Sequence, residues 1–287
     1  MKPEWIRGKI SLDENSSKVR TILRELGINT VCEEAACPNK GECWEKKHVT
    51  FMILGNRCTR DCVFCNVTKE APSAPDPLEP AKIAEAVKKL GVKYAVITSV
   101  TRDDLSDKGA GQFVRTVKEI SSSCPDVPVE LLIPDLGADV KLLEKISSSG
   151  ARVIGHNMEM PRRLYREIRP KADYDRSLEV LKILKNNTSH GSRATSHEVK
   201  VKSSIMLGLG EAEEDILDTL LDLKKAEVDI VYMGQYLSPS GRHWPVKKYY
   251  TPEEFDHFAR KAGDLGFGSV CAGPMVRSSY RAALFTH

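Results

Sequence analysis

A chain of 287 residues with 41% hydrophobic and 29% charged residues has globular composition, and no apolar run approaches the ~18 residues of a membrane span. Its 43 basic and 40 acidic residues leave a formal charge of +3, too even a balance to point to nucleic acid. The first residues, Met1 to Arg7, carry no signal-like apolar stretch, so the chain is read as cytoplasmic, and its eight cysteines as metal-binding or catalytic rather than as disulfides.

In chain order, an amphipathic helix is predicted around residues 19–26 with Gly27 as its stop. A turn-rich stretch follows, in which Cys32, Cys37 and Cys43 stand among Pro38, Asn39 and Gly41, so residues 1–48 read as an extension rather than a domain. From Val49 onward, apolar strand-like runs alternate with segments of helical periodicity, the pattern of parallel β/α units. Strands are predicted at 49–54, 93–98, 127–133, 151–155, 199–206 and 229–237, with a possible short one at 269–272. The intervening helices are predicted at 80–90, 111–122, 138–148, 177–185, 213–225 and 252–265. Four prolines between positions 71 and 80 mark an extended connector, and the polar stretch 186–197, with His190 and His197, reads as an exposed loop. The fold class is therefore α/β: a partial (β/α)6 TIM-type barrel over 49–270, with a C-terminal segment, 271–287, closing over the site.

Six cysteines fall between positions 32 and 65. Cys58, Cys62 and Cys65 form C-x3-C-x2-C directly after a predicted strand, with Phe64 before the last thiol. Structural zinc normally takes four protein ligands, whereas a [4Fe–4S] cluster can take three cysteines and keep one iron open for a small molecule. This spacing resembles the radical S-adenosylmethionine superfamily. The resemblance implies that the open iron chelates S-adenosylmethionine, whose C5′–S bond is cleaved reductively to a 5′-deoxyadenosyl radical. It also implies cofactor contacts from Phe64, Thr98, Asn157, Glu159, Arg169, Met206 and Leu237, mostly at the C-terminal ends of strands where barrel active sites gather. The segment from Ser204 to Glu211 is similar to the superfamily's G-x-I-x-G-x-x-E motif, with Ser204 and Met206 in place of the first glycine and the isoleucine.

Cys32, Cys37 and Cys43 form a second triplet, C-x4-C-x5-C, in a segment too charged for a core: Glu33, Glu34, Lys40 and Glu42 lie among its thiols. This triplet ahead of the radical signature, together with Thr98 to Leu105, His156 to Glu159, Arg166 to Pro170, Gly234 to Ser240 and Arg277 to Tyr280, resembles the lipoyl synthase family over nearly the whole chain. The resemblance implies an auxiliary [4Fe–4S] cluster on the three cysteines with Ser279 as fourth ligand, Ser278 being the alternative. It implies insertion of two sulfur atoms at C6 and C8 of a protein-bound octanoyl-lysine, with the auxiliary cluster as sulfur donor. The implied partners are octanoylated lipoyl-carrier domains of the H protein or 2-oxoacid dehydrogenase E2 type, an electron donor such as ferredoxin or flavodoxin, and an iron–sulfur carrier for cluster repair, with no nucleic acid or membrane.

Two other readings compete. A biotin-synthase-like or methylthiotransferase-like sulfur inserter would lack the paired N-terminal triplet and R-S-S-Y segment. A zinc-stabilised or ferredoxin-like binding protein would not need six β/α units and would supply a fourth cysteine at each site. Cys124 and Cys271 stand apart and read as structural; His243 and Trp244 read either as lining a substrate mouth or as a packed surface loop.

Overall fold

The computed structural model describes residues 2–6, 8, 13–189 and 198–285. His190 and His197 lie outside the described residues. Helix α1 (Glu14–Leu26) begins where the Asp13 carboxylate accepts the Ser16 amide, and it ends at Gly27 in the left-handed region, φ 62°. Its buried Val19, Ile22 and Leu23 lie on one face, the spacing that made it legible. The cysteine stretch, read as turns, instead holds two short helices, α2 (Val31–Glu34) and α3 (Lys40–Glu45), with Cys32 in the first and Cys43 in the second. Capping explains the first: the Thr30 hydroxyl accepts the Glu33 amide, so four residues wind without needing apolar periodicity.

Eight strands form one sheet in sequential order: β1 (Asn29–Thr30), β2 (Thr50–Ile53), β3 (Ala95–Ser99), β4 (Val129–Leu132), β5 (Val153–Gly155), β6 (Lys200–Leu207), β7 (Ile230–Gln235) and β8 (Ser269–Gly273). β2 to β8 are parallel, and β1 runs antiparallel along the edge, pairing Asn29 with Met52. The helices between them are α4 (Glu79–Leu90), α5 (Ala110–Ser123), α6 (Val140–Ser147), α7 (Arg162–Ile168), α8 (Tyr174–Ser189), α9 (Glu213–Lys225) and α10 (Pro252–Asp264). This gives six β/α units, the open β8 being the short seventh strand, and among the described residues no ladder joins β8 back to β1.

Two expectations are corrected. α7, a short helix behind Pro161, was absent from the sequence reading because its apolar Leu164, Tyr165 and Ile168 span less than two turns. α8 runs on through 186–189, where a loop was read, because Lys185 is anchored to Asp229 at 2.7 Å and Thr188 bonds back to the Lys185 carbonyl. Tertiary anchoring there outweighs the weak helix propensity of Asn and Thr.

Alternate strand residues face opposite ways. Phe51, Ile53, Ile97, Leu131, Ile154, Val201 and Val231 are fully buried in the main core under the helices, each worth about 1.5–3 kcal/mol of apolar burial. Their neighbours face inward, where Val153, Ile230, Tyr232 and Val276 form a separate small cluster. Gly234 is required here: a Cβ on it would meet the Val276 carbonyl oxygen at 2.1 Å, so the C-terminal segment packs directly on the inner face of β7. Among the described residues no helix is long and apolar enough to cross a membrane.

Candidate active site and auxiliary cleft

Strand β2 ends at Ile53 and is followed by Leu54 and Gly55, both with positive φ (67° and 81°), where the chain turns into the loop carrying Cys58, Cys62 and Cys65. Glu79, at the start of α4, accepts the Leu54 amide at 2.9 Å and is itself fixed by Gln112 at 2.8 Å. Inside the loop, the Cys58 amide donates to Thr68 and the Cys65 amide to Cys62. From outside, Val63 donates to the Ile168 carbonyl at the end of α7, and Trp244 donates to Val63.

The strongest fastening is Arg60, between the first two cysteines. Its guanidinium makes two 2.7 Å bonds to Asp135 after β4 and two 2.9 Å bonds to Asp103. Asp135 is fully buried and also accepts Arg176 at 3.0 Å. Burial works against its charge, but the Arg60 hydrogen bonds outweigh that and hold the carboxyl well below the usual range. This anchor was not found in the sequence, because nothing local to Arg60 or Asp135 reports a contact across 75 positions.

Around this loop the rim of strand ends gathers the residues expected to touch a cofactor. Thr98 is the penultimate residue of β3, with its hydroxyl donating to the Leu132 carbonyl at 2.8 Å. Asn157 and Glu159 follow β5, the Asn157 amide donating to the Glu159 carboxylate at 3.1 Å. Glu159 has φ 68° and is clamped by both Ser204 and Met206 of β6, and burial raises its carboxyl. Met206 lies on β6, half-buried Leu237 follows β7, and Phe64 sits half-buried in the cysteine loop. Arg169 is buried behind α7; it donates to the Tyr165 hydroxyl at 2.8 Å and to the Met158 carbonyl at 3.3 Å, while among the described residues its Nε has no partner. Burial raises the Cys62 thiol and the Arg169 charge pulls it back down; Cys65 is pushed up to about 11 by burial. The structure thus brings all seven to one end of the barrel. Beside them, the Glu211 carboxylate accepts the amides of Gly208, Leu209 and Gly210 at 2.5, 2.8 and 3.0 Å. Gly208 sits at φ 105° with the Lys248 carbonyl 2.4 Å from where a Cβ would be, which explains why this part of the motif keeps its glycine although Ser204 and Met206 depart from it. Trp244 is a packed loop residue: its indole donates to the Leu209 carbonyl and its own carbonyl accepts Tyr236. His243 bonds only Ser240 nearby.

The second triplet lies elsewhere. Cys32, Cys37 and Cys43 line one open cleft of about 560 Å3 together with Thr50, Tyr94, Arg277, Ser279 and Tyr280. Ser279 arrives from the far end of the chain and accepts the Thr50 hydroxyl at 2.8 Å, across 229 positions. Asn39, between Cys37 and Cys43, donates to the Met275 carbonyl at 2.6 Å and ties the two chain ends together. Burial pushes Cys32 up to about 11, with the Cys37 charge adding to it; Cys43 rises to about 12 by burial and the charges of Cys32 and Cys37. Thiols raised as Cys32 and Cys43 are need a cationic centre to become thiolates. Among the described residues no three His, Cys, Asp or Glu side chains stand placed to hold a single metal ion. Three thiols in one cleft are a donor set that suits an iron–sulfur cluster, which is held by cysteine thiolates. All eight thiols are free; Cys124 caps the end of α5, and Cys271 packs with the inner cluster on β8.

Comparison with known proteins follows the same division. Residues 52–223 match the radical SAM superfamily, and residues 1–37 match the N-terminal domain of lipoyl synthase. Lipoyl synthase of Alkaliphilus metalliredigens is 46% identical over 98% of this chain and 94% of its own length. The chain belongs to the lipoyl synthase family. Lipoyl synthase of Histophilus somni is 48% identical over 99% of this chain and 87% of its own, and the mitochondrial lipoyl synthase of Nematostella vectensis is 45% identical over 100% and 95%. Among solved structures, Streptococcus suis SuiB bound to S-adenosylmethionine aligns with TM-score 0.55 at 12% identity, over 78% of this chain and 50% of that one. The [FeFe]-hydrogenase maturase HydG aligns with TM-score 0.52 at 14% identity, over 93% and 70%. At such identity these two speak for the fold alone. The family relation sets aside the biotin-synthase-like, methylthiotransferase-like and zinc-protein readings.

Proposed function

We infer that this chain is a lipoyl synthase, a radical S-adenosylmethionine sulfurtransferase that inserts two sulfur atoms at C6 and C8 of a protein-bound octanoyl-lysine. The observation that carries this is the meeting of Cys32, Cys37 and Cys43 with Ser279 in one cleft, in a chain related over its whole length to lipoyl synthases.

In this reading Cys58, Cys62 and Cys65 hold the [4Fe–4S] cluster that binds S-adenosylmethionine. When bound, the pair supplies reductive cleavage of the C5′–S bond and so hydrogen abstraction from unactivated carbon. The protein's own residues bind and orient. Thr98, Asn157, Glu159, Met206, Leu237 and Phe64 are the residues at this end of the barrel that would hold S-adenosylmethionine. Arg169 sets the charge around Cys62. Arg60 and Asp135 keep the loop from shifting relative to β4, since misplacement by an ångström is costly for a reaction between held partners. The main core and the packed helices around the barrel keep water from the reacting carbon.

The auxiliary cluster is a substrate, because its sulfides end in the product. Cys32, Cys37 and Cys43 hold it, and Ser279 is its fourth ligand; an alkoxide is a harder donor than a thiolate and suits a position that must open. The substrates are lipoyl-carrier domains, of the H protein or E2 type, in the cytoplasm. A ferredoxin or flavodoxin supplies electrons, and an iron–sulfur carrier rebuilds the cluster. The divisions 1–48, 49–270 and 271–287 correspond to auxiliary-cluster extension, radical barrel and closing segment. Incubating the reconstituted protein anaerobically with an octanoyl-lysine peptide, S-adenosylmethionine and reductant tests this: a product heavier by two sulfur atoms is expected, and 5′-deoxyadenosine with no sulfur in the peptide would refute it.

A further inference from the structure

The inner face of the barrel carries a buried ion pair that the reaction described above does not use. Glu130 on β4 and Lys202 on β6 meet at 2.8 Å with side chains 3% and 4% exposed, spanning the narrow β5 between them. Taking both charges from water costs more than an apolar pair of the same volume would, so stability alone is a poor reason for them to be there. Their contacts point one way. The second Glu130 oxygen accepts the Tyr94 phenol at 2.9 Å, and Tyr94 is one wall of the cysteine cleft. The Lys202 ammonium lies 3.9 Å from the centre of the Tyr232 ring; Tyr232 packs on Val276, and the next residue, Arg277, lines the same cleft. The pair therefore reaches two walls of the cleft from the inner face of the barrel.

We propose that Glu130 and Lys202 are positioning residues for sulfur transfer: they fix the Tyr94 ring, and through Tyr232 and Val276 the Arg277 backbone, as the inner walls of the cleft formed by Cys32, Cys37 and Cys43. This rests on the lipoyl synthase reading. With these walls held, the cleft would be kept open towards the barrel and covered elsewhere, so a substrate radical would be lost less often before it reached the sulfur donor.

Two variants test this. Tyr94→Phe keeps the ring and removes its tether; the double change Glu130→Leu with Lys202→Met replaces the ion pair by apolar groups. Before any S-adenosylmethionine is added, and in a Cys62→Ala background that leaves only the iron held in the cleft of Cys32, Cys37 and Cys43, a ferrous chelator should strip that iron faster from both variants than from the unaltered background, by about fivefold, the factor that one hydrogen bond of ordinary net strength corresponds to. During turnover on the octanoyl-lysine peptide, the 5′-deoxyadenosine formed per sulfur inserted should rise by a similar factor. A residue of purely structural importance would lower both products together and leave that ratio alone. If the double variant does not load its clusters, Tyr94→Phe decides. Unaltered stripping rates and a wild-type ratio in Tyr94→Phe would overturn the proposal, while wild type that forms 5′-deoxyadenosine and no thiol would overturn the function itself.

Discussion

The two cysteine triplets are built in opposite ways. Cys58, Cys62 and Cys65 sit within one loop between β2 and α4, and that loop is bolted to the barrel by the buried Arg60–Asp135 pair. Cys32 and Cys43 sit on two short helices of an extension with Cys37 between them, and their cleft is completed by Ser279 and Arg277 from the other end of the chain. A loop that retains its cluster through many turnovers gains from rigid anchoring. A site that gives its cluster away gains from walls that belong to separate segments, joined by single bonds such as Asn39 to Met275 and Thr50 to Ser279. The first is a fixture and the second a seam.

Removing one thiol from each side should separate the two most sharply. Cys62→Ala is expected to abolish 5′-deoxyadenosine formation altogether, whereas Cys37→Ala should keep it and lose sulfur insertion, each variant retaining about half of the wild-type iron by Mössbauer and chemical analysis. Equal loss of 5′-deoxyadenosine in both would erase the distinction.

Breaking the bolt should cost stability where breaking the seam does not. Asp135→Ala leaves Arg60 buried and without its main partner, a change that typically costs about 3–5 kcal/mol, read as a fall in the thermal midpoint of the apo-protein. An unchanged midpoint would mean that the loop is held by its backbone bonds alone.

The same region should also give the fold a pH dependence. His156, after β5, is buried with its ring bonded to the Ile133 carbonyl, and burial lowers it to about 4 from an unfolded value near 6.5. The unfolded chain therefore binds the proton first. The contribution is full above about pH 6.5, is lost progressively as pH falls towards 4, and totals on the order of 3 kcal/mol. His156→Gln should flatten the denaturation curve over that window; a slope as steep as wild type would assign it to another group.

The smallest effect is expected at the seam. Asn39→Ala removes one hydrogen bond to the C-terminal segment, about 1 kcal/mol, and should leave global unfolding nearly unaltered while speeding amide exchange around Met275 to Tyr280. Exchange unchanged there would show that Val276 packing on Gly234 holds the segment without help.

From the sequence alone came the six β/α units, both triplets and the family. Apolar runs and helical periodicity are local signals, and thiol spacing within eight or twelve residues is a local constraint on geometry, so both survive without coordinates. The sequence also named Ser279, but only by resemblance; nothing in Arg277-Ser278-Ser279-Tyr280 itself announces a cluster. The tertiary structure decided which segments meet. It placed Ser279 rather than Ser278 in the cleft, bolted Arg60 to Asp135, wound Cys32 and Cys43 into helices, and set Glu130 against Lys202 inside the barrel. Each of these is a pairing between distant positions, fixed by strand register and burial, and a single sequence carries no local trace of which partner a buried charge or hydroxyl will find.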